Sequence, residues 1–179
     1  MQQMFLPFLF GFMCISYLPA QSDKQSVELG AIDWLRNYDE AVYQSRQSGK
    51  PVLILFQEVP GCHTCRKYGK QVLSQPLIVE AVERYFIPLA IYNNKDGKDR
   101  KVLERFGEPR WNNPVVRIVN DNGTDIVPRL SGPYHPAAFM ENMKIAFELR
   151  DAQWPEWMEL VLREERANMR GTETAYLGM

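Results

Sequence analysis

At 179 residues, 45% hydrophobic and 24% charged, the chain can fill one core and is too apolar for general disorder. Lys plus Arg number 21 against 22 for Asp plus Glu, so no global field points to nucleic acid. One domain with extensions is the organisation this length favours.

The first element is an apolar run from Met4 to Leu18, interrupted only by Pro7, Gly11 and Ser16 and closed by Leu18-Pro19-Ala20. The run is shorter than the roughly 20 residues that span a bilayer. A secretory signal peptide over residues 1–20 fits it better and implies export to a periplasmic or extracellular space. An uncleaved anchor, the one case in which a membrane is a partner, and a buried N-terminal helix are the alternatives. Cys14 falls inside this leader. Residues 21–30 are polar and read as a loose linker, and the main domain is expected over 31–150.

Ile32 to Leu35 reads as an edge strand, and Asn37 with Glu40 forms a capping box for a helix ending at Gly49. Trp34, Tyr38, Ala41 and Val42 are expected on its inner face. Val52 to Phe56 is a short, partly β-branched apolar run bounded by Gly49-Lys50-Pro51 and Pro60-Gly61, the pattern of a strand buried on both faces. After Gly61 the period becomes helical, with Cys65, Tyr68 and Val72 on one face. Strand, tight turn and then Cys62-His63-Thr64-Cys65 at a helix opening is a chemically informative order. The helix N-terminus offers unpaired N–H groups and partial positive charge, which favour a thiolate at the first cysteine. Cys62 is therefore the expected exposed nucleophile and Cys65, one turn in, the buried resolving thiol. A structural disulfide and half of a zinc site are the competing readings. The pair closes too short a loop to staple a fold, and zinc normally takes four ligands where only His63 and His135 could add nitrogen.

Beyond the dithiol, Ser74 is expected to cap a helix with Pro76 in its first turn and Leu77, Ile78, Ala81, Val82 and Tyr85 buried. A strand over Phe86–Tyr92, a short helix over Arg100–Phe106 and a strand over Val115–Val119 follow. Asp121-Asn122-Gly123 signals a hairpin returning through Ile126–Leu130. A helix from Pro136 then turns Phe139, Met140, Met143, Ala146 and Phe147 inward. Residues 151–179 form an extension, with a helix over 156–168 burying Trp157, Leu160 and Val161, and no strong element from Met169 on. Trp154 and Trp157 read as anchors against the domain.

The Cys62–Cys65 region, continued by Ser74-Gln75-Pro76, resembles the active-site segment of the thioredoxin-like superfamily, in its extracytoplasmic thiol–disulfide oxidoreductase branch. The resemblance runs from about Ala31 to about Leu149. It implies an α/β fold, a mixed sheet flanked by helices with the cysteines at the sheet's C-terminal edge. It also implies that Pro114 is a cis-proline presenting the backbone of Asn113 to substrate. The sequence departs from thioredoxins proper where those carry an acid in the strand before the dithiol. Leu55 and Phe56 stand here, followed by Gln57 and Glu58. Glu58 is then either a proton relay for Cys65 or a surface carboxylate. His63 either stabilises the Cys62 thiolate or faces solvent, and Arg66 and Lys67 either support it or form a solvated face.

Thr172 to Met179 resembles, through a few common residues, the strand leading into the Gly-Cys-Phe-Trp motif of A-type methionine sulfoxide reductases. The chain reaches Met179 before any such motif.

Together these readings describe an exported oxidoreductase exchanging a Cys62–Cys65 dithiol with protein thiols and disulfides. It needs no bound cofactor or metal, and a redox partner protein recycles it. A reductant dedicated to a methionine sulfoxide reductase and a non-enzymatic binding module are the alternatives.

Overall fold

A computed structural model describes residues 25–112 and 114–177, with side chains placed as far as Arg170. The proposed leader (1–20), residues 21–24 of the linker, Asn113 with its peptide bond to Pro114, and the last two residues lie outside this set. No helix among the described residues is long and apolar enough to cross a membrane.

The organising element is β1 (Val52–Gln57), in which every residue is buried. It pairs in parallel with β2 (Ile87–Tyr92) and antiparallel with β3 (Val115–Val119), which pairs antiparallel with the two-residue β4 (Leu130–Ser131). The sheet order is β2-β1-β3-β4. Because side chains alternate along a strand, Val52, Ile54 and Phe56 join one core and Leu53 and Leu55 the other. The first core is closed by α1 (Tyr38–Ser48) and α4 (Lys98–Phe106). The second is closed by α2 (His63–Gln71), α3 (Pro76–Tyr85), α5 (Pro136–Glu148) and α6 (Glu156–Leu177). This is the expected α/β sandwich, a mixed sheet covered on both faces.

Local signals explain most boundaries. Asn37 Oδ1 accepts from the N–H groups of Asp39 and Glu40, and Gly49 ends α1 in the left-handed conformation at φ 70°. Gly123, at φ 84°, serves the expected hairpin turn after β3.

Several expectations are corrected. The edge strand over 32–35 shrinks to a single bridge between Leu35 and Leu89. Trp34 packs in the second core, its indole N–H donating to Leu29 O at 2.8 Å, not against the inner face of α1. The cap of α3 is Gln75; Ser74 Oγ instead donates to Gly69 O at 2.8 Å, closing the end of α2. Leu77 and Leu160 are exposed, because each lies outside the stripe its helix turns to the core. The returning strand over 126–130 is broken: Ile126 N–H reaches Ile118 O at 2.8 Å, but Pro128 has no N–H to continue the ladder. Pairing resumes only at Leu130.

At the chain's two ends more is packed than the polar composition suggested. Val27–Leu29 forms a 3-10 turn with Glu28 and Leu29 buried. Helix α6 continues past residue 168 to Leu177, where the resemblance to a sulfoxide reductase run-in had suggested a strand. No proline interrupts residues 156–177, and Glu, Arg, Ala and Met suit a helix. Trp154 stands edge-on to Phe147 with centroids 5.2 Å apart, and Trp157 stacks on Tyr85 at 6.4 Å. Both tryptophans thus anchor the extension.

Candidate redox site

Helix α2 starts where the backbone leaves β1 through Glu58-Val59-Pro60-Gly61, with a cis bond between Val59 and Pro60. Cys62 is the N-cap residue, with extended backbone, and is exposed; Cys65 is fully buried. Their sulfurs are 3.3 Å apart and both are thiols, one donating to the other.

The two environments differ sharply. Burial alone would raise the Cys62 thiol, but hydrogen bonds from the backbone of Cys65, the Cys65 thiol and the backbone of Thr64 outweigh it and hold Cys62 below its ordinary range. The Glu58 carboxylate opposes this shift. Cys65 is pushed up to about 12 by burial, by its hydrogen bond to Cys62 and by the Cys62 charge. The exposed sulfur is therefore the first of the two to ionise, while the buried one stays a thiol that can donate to it.

Glu58 is half-buried, and a carboxylate oxygen of it lies with both sulfurs inside a 4.8 Å cluster. Two sulfurs and one oxygen could hold a thiophilic ion with one position open, one donor short of a structural zinc set. The same cluster makes Glu58 a carboxylate neighbour of both sulfurs. His63 is exposed and, among the described residues, makes no side-chain hydrogen bond to either sulfur.

Three supporting residues carried little signal in the sequence. Glu28, from the 3-10 turn, is buried and accepts from Gly61 N–H at 2.8 Å and from the Ser26 hydroxyl. Burial opposes its ionisation, yet the bonds from Ser26 and Gly61, with the nearby Arg66 guanidinium, hold its carboxyl below the usual range. The turn fits closely because α2 presents glycine to it: a Cβ on Gly69 would meet Val27 O at 2.0 Å. Gln57, fully buried, donates from Nε2 to Glu28 O at 2.6 Å and to Cys65 O at 3.2 Å. It ties the turn, the strand and the dithiol helix together. Its position at the end of an apolar run was visible; a lone Glu28 in a polar stretch was not.

Tyr134 is the third. Its ring meets Tyr68 edge-on at 5.8 Å. Burial, then the charges of Cys65 and Cys62, raise its hydroxyl, which places that hydroxyl in the field of the dithiol.

Pro114 is buried and immediately precedes Val115, which pairs with Phe56. It therefore reaches the edge of the sheet from which the dithiol loop departs. Asn93, buried at the end of β2, donates to Asn112 O at 3.1 Å, while Asn94 Oδ1 accepts from Val59 N–H at 3.2 Å. Paired asparagines thus bridge the two loops that flank the site.

Comparison with known proteins agrees with this geometry. A thioredoxin-like family model matches residues 33–121. No curated protein sequence matches the chain. Among solved structures, a DsbH oxidoreductase superposes with TM-score 0.56 at 18% identity, covering 73% of this chain and 94% of its own. A thioredoxin from Thermus thermophilus gives 0.52 at 24% identity, covering 67% and 85%. A candidate disulphide isomerase from Bacteroides thetaiotaomicron gives 0.52 at 18%, covering 69% and 96%. The fold is thioredoxin-like, and it brings Cys62 and Cys65 close together.

Proposed function

We propose that the protein is an exported thiol–disulfide oxidoreductase acting on protein substrates. The observation that carries this reading is the asymmetry of the pair: an exposed sulfur at a helix N-terminus, 3.3 Å from a buried one.

In the reducing direction, the Cys62 thiolate attacks one sulfur of a substrate disulfide. The substrate bond breaks, its other sulfur leaves as a thiolate, and a mixed disulfide with Cys62 forms. Cys65 then gives up its proton, with Glu58 the nearest carboxylate to receive it, and attacks Cys62. The products are a Cys62–Cys65 disulfide and a reduced substrate; a partner dithiol returns the two electrons. In the oxidising direction the same steps run backwards. Pro114, at the head of β3, would border the surface on which an extended substrate chain lies.

Reduction of a peptide disulfide by the reduced protein tests this reading. Cys62→Ser should abolish turnover, and Cys65→Ser should accumulate a mixed disulfide visible by mass spectrometry. A Cys62→Ser variant with full activity would sink the assignment.

A further inference from the structure

The face of α2 beside the nucleophile carries charge that folding alone does not favour. The helix contains Arg66, Lys67 and Lys70 and no carboxylate. Arg66 closes its first turn, where the helix dipole disfavours cations. Like charges at Arg66 and Lys70, four residues apart, also repel. Elsewhere Arg36, Arg117 and Arg166 reach carboxylates at 2.7–2.8 Å. Among the described residues Lys67 and Lys70 take part in no ion pair, and Arg66 has only its attraction to the Glu28 carboxylate. All three are exposed. With His63 and Gln71 they line an open groove of about 590 Å³.

We propose that this groove docks an acidic segment of the substrate protein, with Asp or Glu within about three residues of the cysteine that Cys62 attacks, as an extended chain would space them. The proposal rests on the oxidoreductase reading and specifies its substrate class. The spacing follows from geometry. Residues 63 to 70 advance ~10 Å along a helix at ~1.5 Å per residue, and an extended peptide covers that distance in about three residues. Anionic flanks would then meet the cations while the substrate sulfur meets Cys62. Attraction across such a groove raises the encounter rate and weakens with salt.

The test uses reduced full-length protein and three cystine-bridged peptides of equal length, with acidic, neutral or basic flanks. At about 10 mM salt the acidic peptide should be reduced roughly 10-fold faster than the neutral one, with the basic one slowest. Near 0.5 M salt, where screening acts over about 4 Å, the three rates should converge. In Lys67→Gln/Lys70→Gln the acidic-to-neutral ratio should fall towards one. Equal rates for all three peptides at low salt would overturn the docking proposal and leave the oxidoreductase standing. A preference that survives the double substitution would overturn its assignment to this face. Glutathione disulfide outrunning every peptide, and losing that lead in the double variant, would give the groove to a small anion and overturn the polypeptide proposal. Failure to reduce any disulfide, while Cys62 still alkylates, would remove the oxidoreductase reading and the docking surface with it.

Discussion

The carboxylate of Glu28 accepts a hydrogen bond from the N–H of Gly61, the residue before the nucleophile, at 2.8 Å. A turn thirty-odd residues upstream therefore holds the loop that delivers Cys62. Glu28→Ala leaves a partly buried N–H without its acceptor and should cost about 1–3 kcal/mol. Glu28→Gln keeps an acceptor oxygen and should recover much of that loss. Denaturant midpoints measure both, and thiolate absorbance across pH reads the Cys62 titration, which a purely structural turn would not move. Two variants as stable as the parent, with Cys62 titrating unchanged, would show that the bond does not position the site.

Cys62 should alkylate at least about 10-fold faster than Cys65 at neutral pH, since low-pKa thiols at helix N-termini are the reactive ones. Exposure and ionisation both favour it, and Cys65 is shielded on both counts. Site-resolved mass spectrometry after brief iodoacetamide treatment gives the two rates. Equal labelling would reverse or erase the assigned roles.

His63 is exposed and lines the groove. Stabilising a thiolate by about 1.4 kcal/mol would shift this two-electron couple by ~30 mV. Without a hydrogen bond to Cys62, His63→Ala should move the potential by well under half of that, about 10 mV or less. Equilibration with glutathione buffers measures it, and a shift near 30 mV would restore the imidazole as a partner of the thiolate.

How much of this was legible in the sequence depends on the range of the interaction. The β1 run, the Asn37 cap, the Gly49 stop and the cysteine order are local, and the structure keeps each of them. Leu77 and Leu160 show where apolar identity misleads, because helix rotation is fixed by neighbouring elements and not by hydrophobicity. Pro128 breaks a strand that the Asn122-Gly123 turn seemed to require, since the ladder needs an N–H there. Glu28, Gln57 and Tyr134 enter the site through contacts 8 to more than 60 residues away in sequence, which no window along the chain reveals. Gly69 makes the same point in reverse: its lack of a side chain matters only because Val27 O lies against it.

The opposite shifts of the two cysteines also dictate how stability depends on pH. In the unfolded chain both titrate near ~8.5. Folded Cys62 ionises below that value, so the folded state binds fewer protons there and stability of the reduced protein rises with pH towards about 8.5. Above it the sign reverses, because Cys65, pushed up to about 12, keeps a proton that the unfolded chain releases. The slope approaches about −1.4 kcal/mol per pH unit, so by pH ~10 some 2 kcal/mol should be lost. Tyr68 and Tyr134, also raised, add to the loss only above about pH 10. The disulfide form has no titrating sulfur and supplies the reference. Guanidinium unfolding of reduced and oxidised protein between pH 6 and 10 should give a stability difference with a maximum near pH ~8.5. A difference that stays flat above that pH would mean that Cys65 ionises as readily in the fold as outside it, and the buried resolving thiol would have to be abandoned.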